Sequence, residues 1–395
     1  MRLLPWDYGV RNLTRRPLRT VLTGLGLTLV VFLLLLVVGF VRGLELSLAQ
    51  SGDPEVVLLH NVNAAENLEN SSISDEVATL ARTEFAAHLV RYGDTAALSP
   101  EMTIASRVGR SDAEGQGQLG VLRGVDWDRA FLVRRQVALV EGTIPVRGEV
   151  LVGRLVPAKL GLRTEDVTVG STLLVEGRPW RVSGRFAAPG TLLESEIWCD
   201  LGDLKTAVRR PNDVSVVAMR FDPKGDPARQ MGYVEYFCRN RRPDLELMGS
   251  REAEYYAALQ KHYGPMRAMG WLLVGLVAAA GACGAVNTMY AAVAGRVREF
   301  AALQAVGFPR RAIGLSLLQE SVILSAAATL VAAGLALLLV QGVAVRFTMG
   351  AFTLQLDRTA LLVGCGAGLA LGVFGAIPPA VRAFRMPIAD ALKAV

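Results

Sequence analysis

Apolar residues are concentrated in four long runs along this chain. The runs 20–41, 268–295 and 359–381 contain no charged residue, and the run 312–345 contains one, Glu320. Each run is long enough to cross a lipid bilayer, which requires about 20 apolar residues. The pattern therefore predicts four transmembrane helices.

The region between the first two runs has the pattern of a soluble α/β domain. Short apolar runs predict strands, and apolar positions spaced three to four residues apart predict helices. The predicted strands are 55–59, 121–125, 149–153, 171–175, 180–186, 197–199 and 214–221. The predicted helices are 75–92, 155–162, 201–208, 227–241 and 250–268. Because the strands are concentrated in 121–222, we expect a strand-rich subdomain inserted into a more helical one.

Arginines flank the apolar runs unevenly. The segment 1–19, the loop 296–311 and the tail 382–395 are rich in basic residues, whereas the loop between runs three and four is not. Because basic loops stay on the cytoplasmic side, we expect both termini and the 296–311 loop to be cytoplasmic, in the inner (plasma) membrane. The predicted fold is then four transmembrane α-helices with a large mixed α/β extracytoplasmic domain, residues 42–267, inserted between spans one and two.

The first 19 residues predict an amphipathic cytoplasmic helix. Leu3, Trp6 and Val10 are apolar, and the arginines that follow, Arg11, Arg15 and Arg16, are suited to the headgroups of membrane lipids. An unstructured basic flank is the alternative. A secretory signal peptide is not favoured, because the run 20–41 is longer than the roughly 7–15 apolar residues of a signal core.

The net charge of +6 follows the predicted topology. The excess of basic residues lies in the segments that flank the spans, while residues 43–270 are slightly acidic. The positive net charge therefore does not indicate nucleic-acid binding, and no nucleic-acid partner is expected. Cys199 and Cys238 lie outside the spans, where a disulfide is permitted. The sequence leaves their pairing open, and two free thiols are the favoured interpretation.

The sequence contains no recognisable nucleotide-binding or catalytic motif. No G-x-x-x-x-G-K-[ST] loop is present to cradle phosphates, and no H-E-x-x-H pair is present to bind zinc. The three histidines, His60, His88 and His262, are dispersed, so no metal or hydrolytic site is predicted. We therefore expect a non-catalytic protein without a cofactor of its own.

The loop 296–311 predicts a short cytoplasmic helix. Its residues favour helix formation and place an apolar stripe at Phe300, Leu303 and Val306, between charges. Gly307 can end such a helix, and Pro309 can start the next one. An exposed stripe of this kind could fill a groove in a partner. A helix that lies on lipid headgroups is the alternative.

Two features inside the spans are also candidates for function. Glu320 is the one acid within a span, and such charges are costly and often functional. It could pair with a nearby basic residue, transmit movement, or be satisfied at a helix interface. Gly364, Gly368 and Gly372 recur at four-residue spacing, which permits close helix packing. The sequence does not decide whether that packing is within one subunit or between two.

Several segments together resemble the MacB/FtsX-type ABC transporter permeases. Residues 287–334 combine a basic turn after span two, an R-E-x-A-x-L-x-A-x-G helix and a third span with an early Glu. The start of span one, 12–23, and the C-terminal segment 377–393 are also similar to the family. In the external region, the segments 122–126, 148–153 and 194–198 resemble MacB-like members. Gln304 departs from the pattern, since Arg is common there.

The resemblance implies how such a permease obtains energy. The 296–311 segment would be a coupling helix held by a separate cytoplasmic ABC ATPase subunit, because the sequence has no phosphate-binding loop. The residues that match the coupling motif are Arg298, Glu299, Phe300, Ala301, Leu303, Ala305 and Gly307. ATP would be bound by that partner, and two copies of the permease would form a homodimer. A periplasmic adaptor is a further possible partner.

Two functions are compatible with this interpretation. In the favoured one, ATP-driven motion passes through rigid spans to the external domain, which extrudes a hydrophobic or amphipathic substrate. In the alternative, the protein carries nothing and signals to an extracytoplasmic partner such as a cell-wall hydrolase. The size of the external domain favours export.

Overall fold

The computed structural model describes residues 13–15, 17–64, 67–110, 117–175, 177–347 and 350–385. The helix predicted over 1–19 and the tail predicted over 382–395 lie mostly outside these ranges. The chain divides into two compact units. The α/β unit comprises Leu44–Gly264 and Ala344–Thr353, and the helical unit comprises the rest. Each unit is described by itself below.

All α-helices, short and long, are numbered together in chain order. They are α1 (Pro17–Ser51), α2 (Glu76–Glu84), α3 (Trp127–Val133), α4 (Val156–Leu160), α5 (Leu201–Ala207), α6 (Pro227–Tyr236), α7 (Glu252–His262), α8 (Gly264–Ala294), α9 (Val297–Ala305), α10 (Arg310–Leu339) and α11 (Arg358–Arg385).

Among the described residues, α1, α8, α10 and α11 are the helices long and apolar enough to cross a membrane. They coincide with the four predicted spans, but two bounds differ. α1 continues past residue 41 to Ser51. α10 ends at Leu339, before residue 345, because Gly342 takes a φ of +79° and turns the chain into a hairpin.

The helical unit is held together by apolar packing and a few polar ties. Leu27 of α1, Ala328 of α10 and Leu371 of α11 form one buried cluster. At one end of the unit, Arg42 donates a 2.7 Å hydrogen bond to the Asp357 carboxylate, directly before α11. Intramembrane helices have no hydrophobic drive to associate, so such close packing and polar bonds hold them together.

The strands are also numbered in chain order. They are β1 (Val56–Asn61), β2 (Ile73–Ser74), β3 (Arg91–Tyr92), β4 (Thr95–Ala96), β5 (Leu98–Arg110), β6 (Gln118–Val125), β7 (Ala138–Gly142), β8 (Glu149–Gly153), β9 (Thr172–Val175), β10 (Arg178–Ala187), β11 (Glu196–Asp200), β12 (Asp213–Val214), β13 (Val216–Arg220), β14 (Leu247–Arg251), β15 (Ala344–Arg346) and β16 (Ala351–Thr353).

Among the described residues, ten strands of the α/β unit form one mixed sheet. Its order is β14-β1-β13-β5-β6-β11-β8-β10-β7, with β9 beside β10 and β5. The long strand β5 pairs with β13 through residues 98–101 and with β6 through residues 102–108. β5 is therefore the strand that joins the two halves of the sheet.

Each half of the sheet has its own core. The first contains side chains of β1, β13, α2 and α6, with Phe85 at its centre. The second contains side chains of β6, β8, β10 and β11. The strand-rich piece predicted over 121–222 contributes most of the second core, but β13, predicted as part of that piece, belongs to the first core. β5 and β14 were not predicted.

The helix predicted over 75–92 is shorter in the structure. α2 ends at Glu84 because Phe85 leaves the helix for the core, where its ring centroid lies 5.9 Å from that of Phe221 and 5.3 Å from that of Phe237. Burial of the Phe85 ring removes a large apolar surface from water, which favours folding.

The segment between spans three and four belongs to the α/β unit. β15 and β16 form a hairpin in which Ala351 and Phe352 are buried. The Lys159 ammonium of α4 donates a 2.8 Å hydrogen bond to the carbonyl of Phe347, in the turn of this hairpin. The rings of Phe352 and Tyr263 both contact the Phe347 ring, with centroids 5.6 and 5.7 Å from its own.

Candidate functional site

The segment 296–311 forms the short helix that its sequence predicts. α9 begins after Arg296 and ends before Gly307, whose φ of +101° is available to glycine at little cost. The amide of Phe308 donates to the carbonyl of Leu303, which closes the C-terminus of the helix. Pro309 then caps α10. The two breaks leave α9 as a separate helix between two spans.

Two residues of the predicted apolar stripe, Phe300 and Leu303, point into the helical unit, whereas the third, Val306, does not. Phe300 is only 5% exposed, Ala301 is buried, and Leu303 is half-buried. The residues that form this cluster are Val293, Phe300, Ile313, Leu317 and Ala380, with Leu303 and Phe308 packed against them. Contrary to our expectation, Phe300 is therefore not available to fill a groove in a partner. Its burial fixes α9 to the ends of α8, α10 and α11.

The opposite face of α9 is exposed. Arg298, Glu299, Ala305 and Gly307 all lie on this surface. Val306, at the end of the helix, is 72% exposed. A pattern with a period of 3.6 residues identifies two faces but cannot tell which one meets the spans. The surface offered to a partner thus consists of charged residues around one aliphatic side chain.

Glu320 pairs with the residue that caps α9. The Arg296 guanidinium donates a 2.9 Å hydrogen bond to the Glu320 carboxylate of α10 and lies 3.5 Å from the carboxylate of Glu299. It also lies over the Phe300 ring, 5.8 Å from the centroid. Arg296 is 6% exposed, and its Nη2 has no hydrogen-bond partner among the residues that the structure describes. A buried charge pair thus connects α9 to span three.

A small polar cavity lies beside this ion pair. Its volume is about 60 Å³, which is room for a few water molecules. Its polar lining comes from three helices and consists of Arg19, Thr20, Thr23, Thr288, Glu320 and Ser321. Gly372 of the fourth helix completes it. The spans therefore have more polar surface at this end than their mean composition suggests, although the cavity is far too small for a lipid-sized substrate.

The glycines at four-residue spacing lie inside the helical unit. A Cβ at Gly364 would stand 2.3 Å from Leu35 of α1, and one at Gly368 would stand 2.2 Å from the Thr329 hydroxyl of α10. A Cβ at Gly372 would stand 2.1 Å from the Ser325 hydroxyl. All three neighbours belong to the same chain. The ladder thus allows α11 to approach both α1 and α10.

The α/β unit contains a buried cluster of charges that the sequence did not reveal. Arg123 binds both carboxylate oxygens of Glu196 at 2.7 Å and Glu101 at 2.6 Å. Arg134 binds Glu101 at 2.9 Å and Glu252 at 2.5 Å. Each of the five residues is 6% exposed or less. Three buried carboxylates thus face two buried guanidiniums.

Electrostatics favours the charged forms of Glu101 and Arg134. Burial opposes the charge of Glu101, but the guanidiniums of Arg134 and Arg123 outweigh it and hold the pKa of the carboxyl below its ordinary value. The same carboxylates raise the pKa of Arg134 despite its burial. The indole of Trp198 supplies a further donor, 2.8 Å from Glu196. Paired and hydrogen-bonded in this way, the charges are tolerated in the interior.

A second ion cluster lies where the chain leaves α1. Arg220 of β13 forms ion pairs with both Asp53 and Glu55, the latter at 2.5 Å. It also donates a 2.7 Å hydrogen bond to the carbonyl of Val133, at the end of α3. Arg220 is 3% exposed. Directional bonds therefore fix the segment after α1 to the first half of the sheet.

The cysteines and potential metal ligands show no second site. Cys199 and Cys238 are free thiols in the structure, and burial raises the pKa of Cys238 to about 11. Within the ranges given above, no three His, Cys, Asp or Glu side chains are close enough to hold a metal ion. The candidate site is therefore the helix α9, with one buried face and one exposed face.

This arrangement is that of a multi-pass membrane permease with a large α/β unit inserted after its first span. The sequence matches the MacB-like periplasmic core domain over residues 20–231 and the FtsX-like permease C-terminal domain over residues 271–388. The chain belongs to the MacB/FtsX-type family of ABC transporter permeases. Members of that family are permease components that work with a cytoplasmic ATPase.

Solved structures with some similarity include a periplasmic region, an extracellular domain and a further domain of a permease protein. The periplasmic region of MacB from Actinobacillus actinomycetemcomitans is 9% identical, with a TM-score of 0.40, over 53% of this chain and 94% of that one. The extracellular domain of the noncanonic ABC-type transporter YknZ from Gram-positive bacteria is 12% identical, with a TM-score of 0.36, over 49% and 99%. A domain of a permease protein from Porphyromonas gingivalis is 12% identical, with a TM-score of 0.32, over 50% and 87%. No match was found among curated proteins.

Proposed function

We propose that this chain is the permease subunit of an ABC transporter whose ATPase is a separate cytoplasmic protein. The observation that supports this most directly is α9. One face of the helix is buried against three spans, and the other, around Val306, is free to be gripped. The sequence contains no phosphate-binding loop, so the energy for movement must be supplied from elsewhere.

The proposed work is the transmission of movement. Closure of the ATPase on ATP would displace α9, and the Phe300 cluster and the Arg296–Glu320 pair would pass the displacement to the spans. The ATPase must bind this face differently in its two states, because a ligand shifts only equilibria in which it distinguishes the states. In this proposal both termini and α9 are cytoplasmic, in the inner membrane, and the α/β unit is outside.

The proposed route of the substrate avoids the cavity described between the spans. The cavity of about 60 Å³ between them does not admit a molecule of lipid size. We therefore propose that a hydrophobic or amphipathic substrate is taken up and extruded outside the membrane by the α/β unit. Two copies would act together, each with its own ATPase, since α8 exposes most of its length in a single copy.

Substitution of Val306 tests the docking surface. Val306→Asp places a charge at the centre of the free face and should weaken association with the ATPase by about 2 kcal/mol, roughly 30-fold. The measurement is the amount of endogenous ATPase, and of ATP hydrolysis, that purifies with the full-length chain from its own host. The fold of the variant is checked by size-exclusion chromatography in detergent.

Val146→Asp is the matched control. Val146 is 67% exposed, close to the value for Val306, but it belongs to the α/β unit. This variant should retain the ATPase at the wild-type level. If Val306→Asp retains it equally well, α9 is not the docking surface.

A further inference from the structure

Glu252 stands where three parts of the α/β unit meet. It is the first residue of α7, the helix that precedes α8, and it is 1% exposed. One carboxylate oxygen accepts a 2.5 Å hydrogen bond from Arg134, and the other accepts a 3.2 Å hydrogen bond from the backbone amide of Asp53. Asp53 lies two residues after Ser51, the last residue of α1. The Glu252 side chain therefore joins the segment that leads to span two, to which it belongs, to the segment that follows span one.

The backbones of these two segments are also in direct contact. A Cβ at Gly52 would stand 2.6 Å from the Cα of Ala253, so any other residue at this position would push the segments apart. Nearby, the Ser51 hydroxyl accepts a 2.8 Å hydrogen bond from the amide of Leu192, before β11. The end of α1 and the start of α7 thus form one joint, with Glu252 at its centre.

From this joint, charged bonds continue into the middle of the sheet. Arg134 connects Glu252 to Glu101 on β5. Arg123, on β6, binds Glu101 and also binds Glu196, which lies on the neighbouring strand β11. Buried charge-assisted hydrogen bonds are directional and strong, whereas apolar contacts are not directional and allow sliding. The cluster is therefore suited to transmit both displacement and rotation.

We propose that Glu252 is a positioning residue through which movement of α1 and α7 reaches the strand-rich core. The proposal rests on the function proposed above, and adds the point at which motion enters the external domain. Without Glu252, the core would still fold, but displacement of α1 and α7 would no longer move the sheet.

The charge balance of the cluster makes this testable. Three carboxylates face two guanidiniums, so Glu252→Ala leaves Glu101 and Glu196 against Arg123 and Arg134, with no unbalanced buried charge. The variant should therefore fold. Glu254→Ala is the matched control, because Glu254 lies on the same helix and is exposed.

The experiment measures distances between the two copies of the permease by pulsed electron spin resonance. The complete permease–ATPase complex is placed in lipid nanodiscs, with and without ATP and vanadate. Spin labels are attached at Lys261→Cys, on α7, or at Arg147→Cys, which is 93% exposed beside the strand-rich core. Cys283 and Cys365 are replaced by Ala, and the buried Cys199 and Cys238 stay unlabelled.

In the wild-type background and in Glu254→Ala, nucleotide should change the distance at both labels. In Glu252→Ala, the change at Lys261 should persist and the change at Arg147 should be lost. An undiminished change at Arg147 would overturn the proposal. If nucleotide changes neither distance in the wild type, the proposed function itself fails, and the joint with it.

Glu252→Gln serves as a second variant. It keeps the volume of the side chain and an oxygen for the Asp53 amide, but removes the charge that binds Arg134. The change at Arg147 should be reduced, to a value between those of the wild type and Glu252→Ala. A purely structural role would lower the melting temperature of both Glu252 variants and leave the ratio of the two distance changes unaltered.

Discussion

At the scale of single residues, Arg296 contacts three other side chains, and no sequence pattern predicts these contacts. Its guanidinium binds Glu320, approaches Glu299 and covers the Phe300 ring. The sequence identified Glu320 because an acid within a span is rare. Its partner is 24 residues away along the chain. No local periodicity connects the two, and only the turn at residues 306–309 brings them together.

The Arg296–Glu320 pair gives a prediction for stability. Glu320→Gln should destabilise the permease by about 3 kcal/mol, because Arg296 is then left charged and buried with one partly exposed partner. The double variant Arg296→Gln with Glu320→Gln should recover most of the loss. Thermal unfolding of the purified chain in detergent measures both. Additive losses in the double variant would show that the two side chains do not interact.

The buried cluster around Arg134 illustrates why some sites escape sequence reasoning. Glu101, Arg123 and Arg134 lie in a region with many charged residues, nearly all of which are exposed in proteins of this composition. Burial of these three depends on β5, a strand that the sequence did not predict. Once β5 is in place, its pairing with β6 brings Glu101 within reach of Arg123. The charge cluster can therefore be predicted from these side chains only after the pairing of the strands is known.

At the scale of elements, long apolar runs predicted most of the helical unit. The start of α10 and the existence of α9 followed from Gly307 and Pro309, whose backbone preferences are local. The inward face of α9 did not follow, because Phe300 suits either a core or a partner's groove. Short strands were predicted less well, since their pairing partners are distant in sequence.

Close packing of α11 gives a prediction for an element. Gly368→Ala should destabilise the helical unit by about 1–3 kcal/mol, because the new methyl group would meet Thr329 and Val31. Gly366→Ala is the control: its Cβ would meet nothing within 4 Å. Since alanine favours helix over glycine, this variant should be neutral or slightly more stable. Equal melting temperatures for the two variants in detergent would contradict the packing.

At the scale of the whole molecule, the charges of the loops predict its orientation. Arg147→Cys should react with a membrane-impermeant maleimide in intact cells, and Arg298→Cys should react only after the cells are opened. Both positions are exposed in the structure. Because Arg298 lies on the face proposed to bind the ATPase, the cells are opened with a detergent that also releases that subunit. Cys283 and Cys365 are replaced by Ala for this measurement. Reversal of the two results would place the termini and α9 outside the cytoplasm.

The hairpin β15–β16 has a consequence for biosynthesis. It belongs to the α/β unit, where Phe352 is buried and Phe347 receives the Lys159 hydrogen bond. The ribosome makes the chain from the N-terminus, so almost all of this unit emerges before α8, while its last piece follows α10. The α/β unit thus waits, unfinished, through the synthesis of two spans, and a nascent chain stalled before residue 344 would lack the piece that completes it.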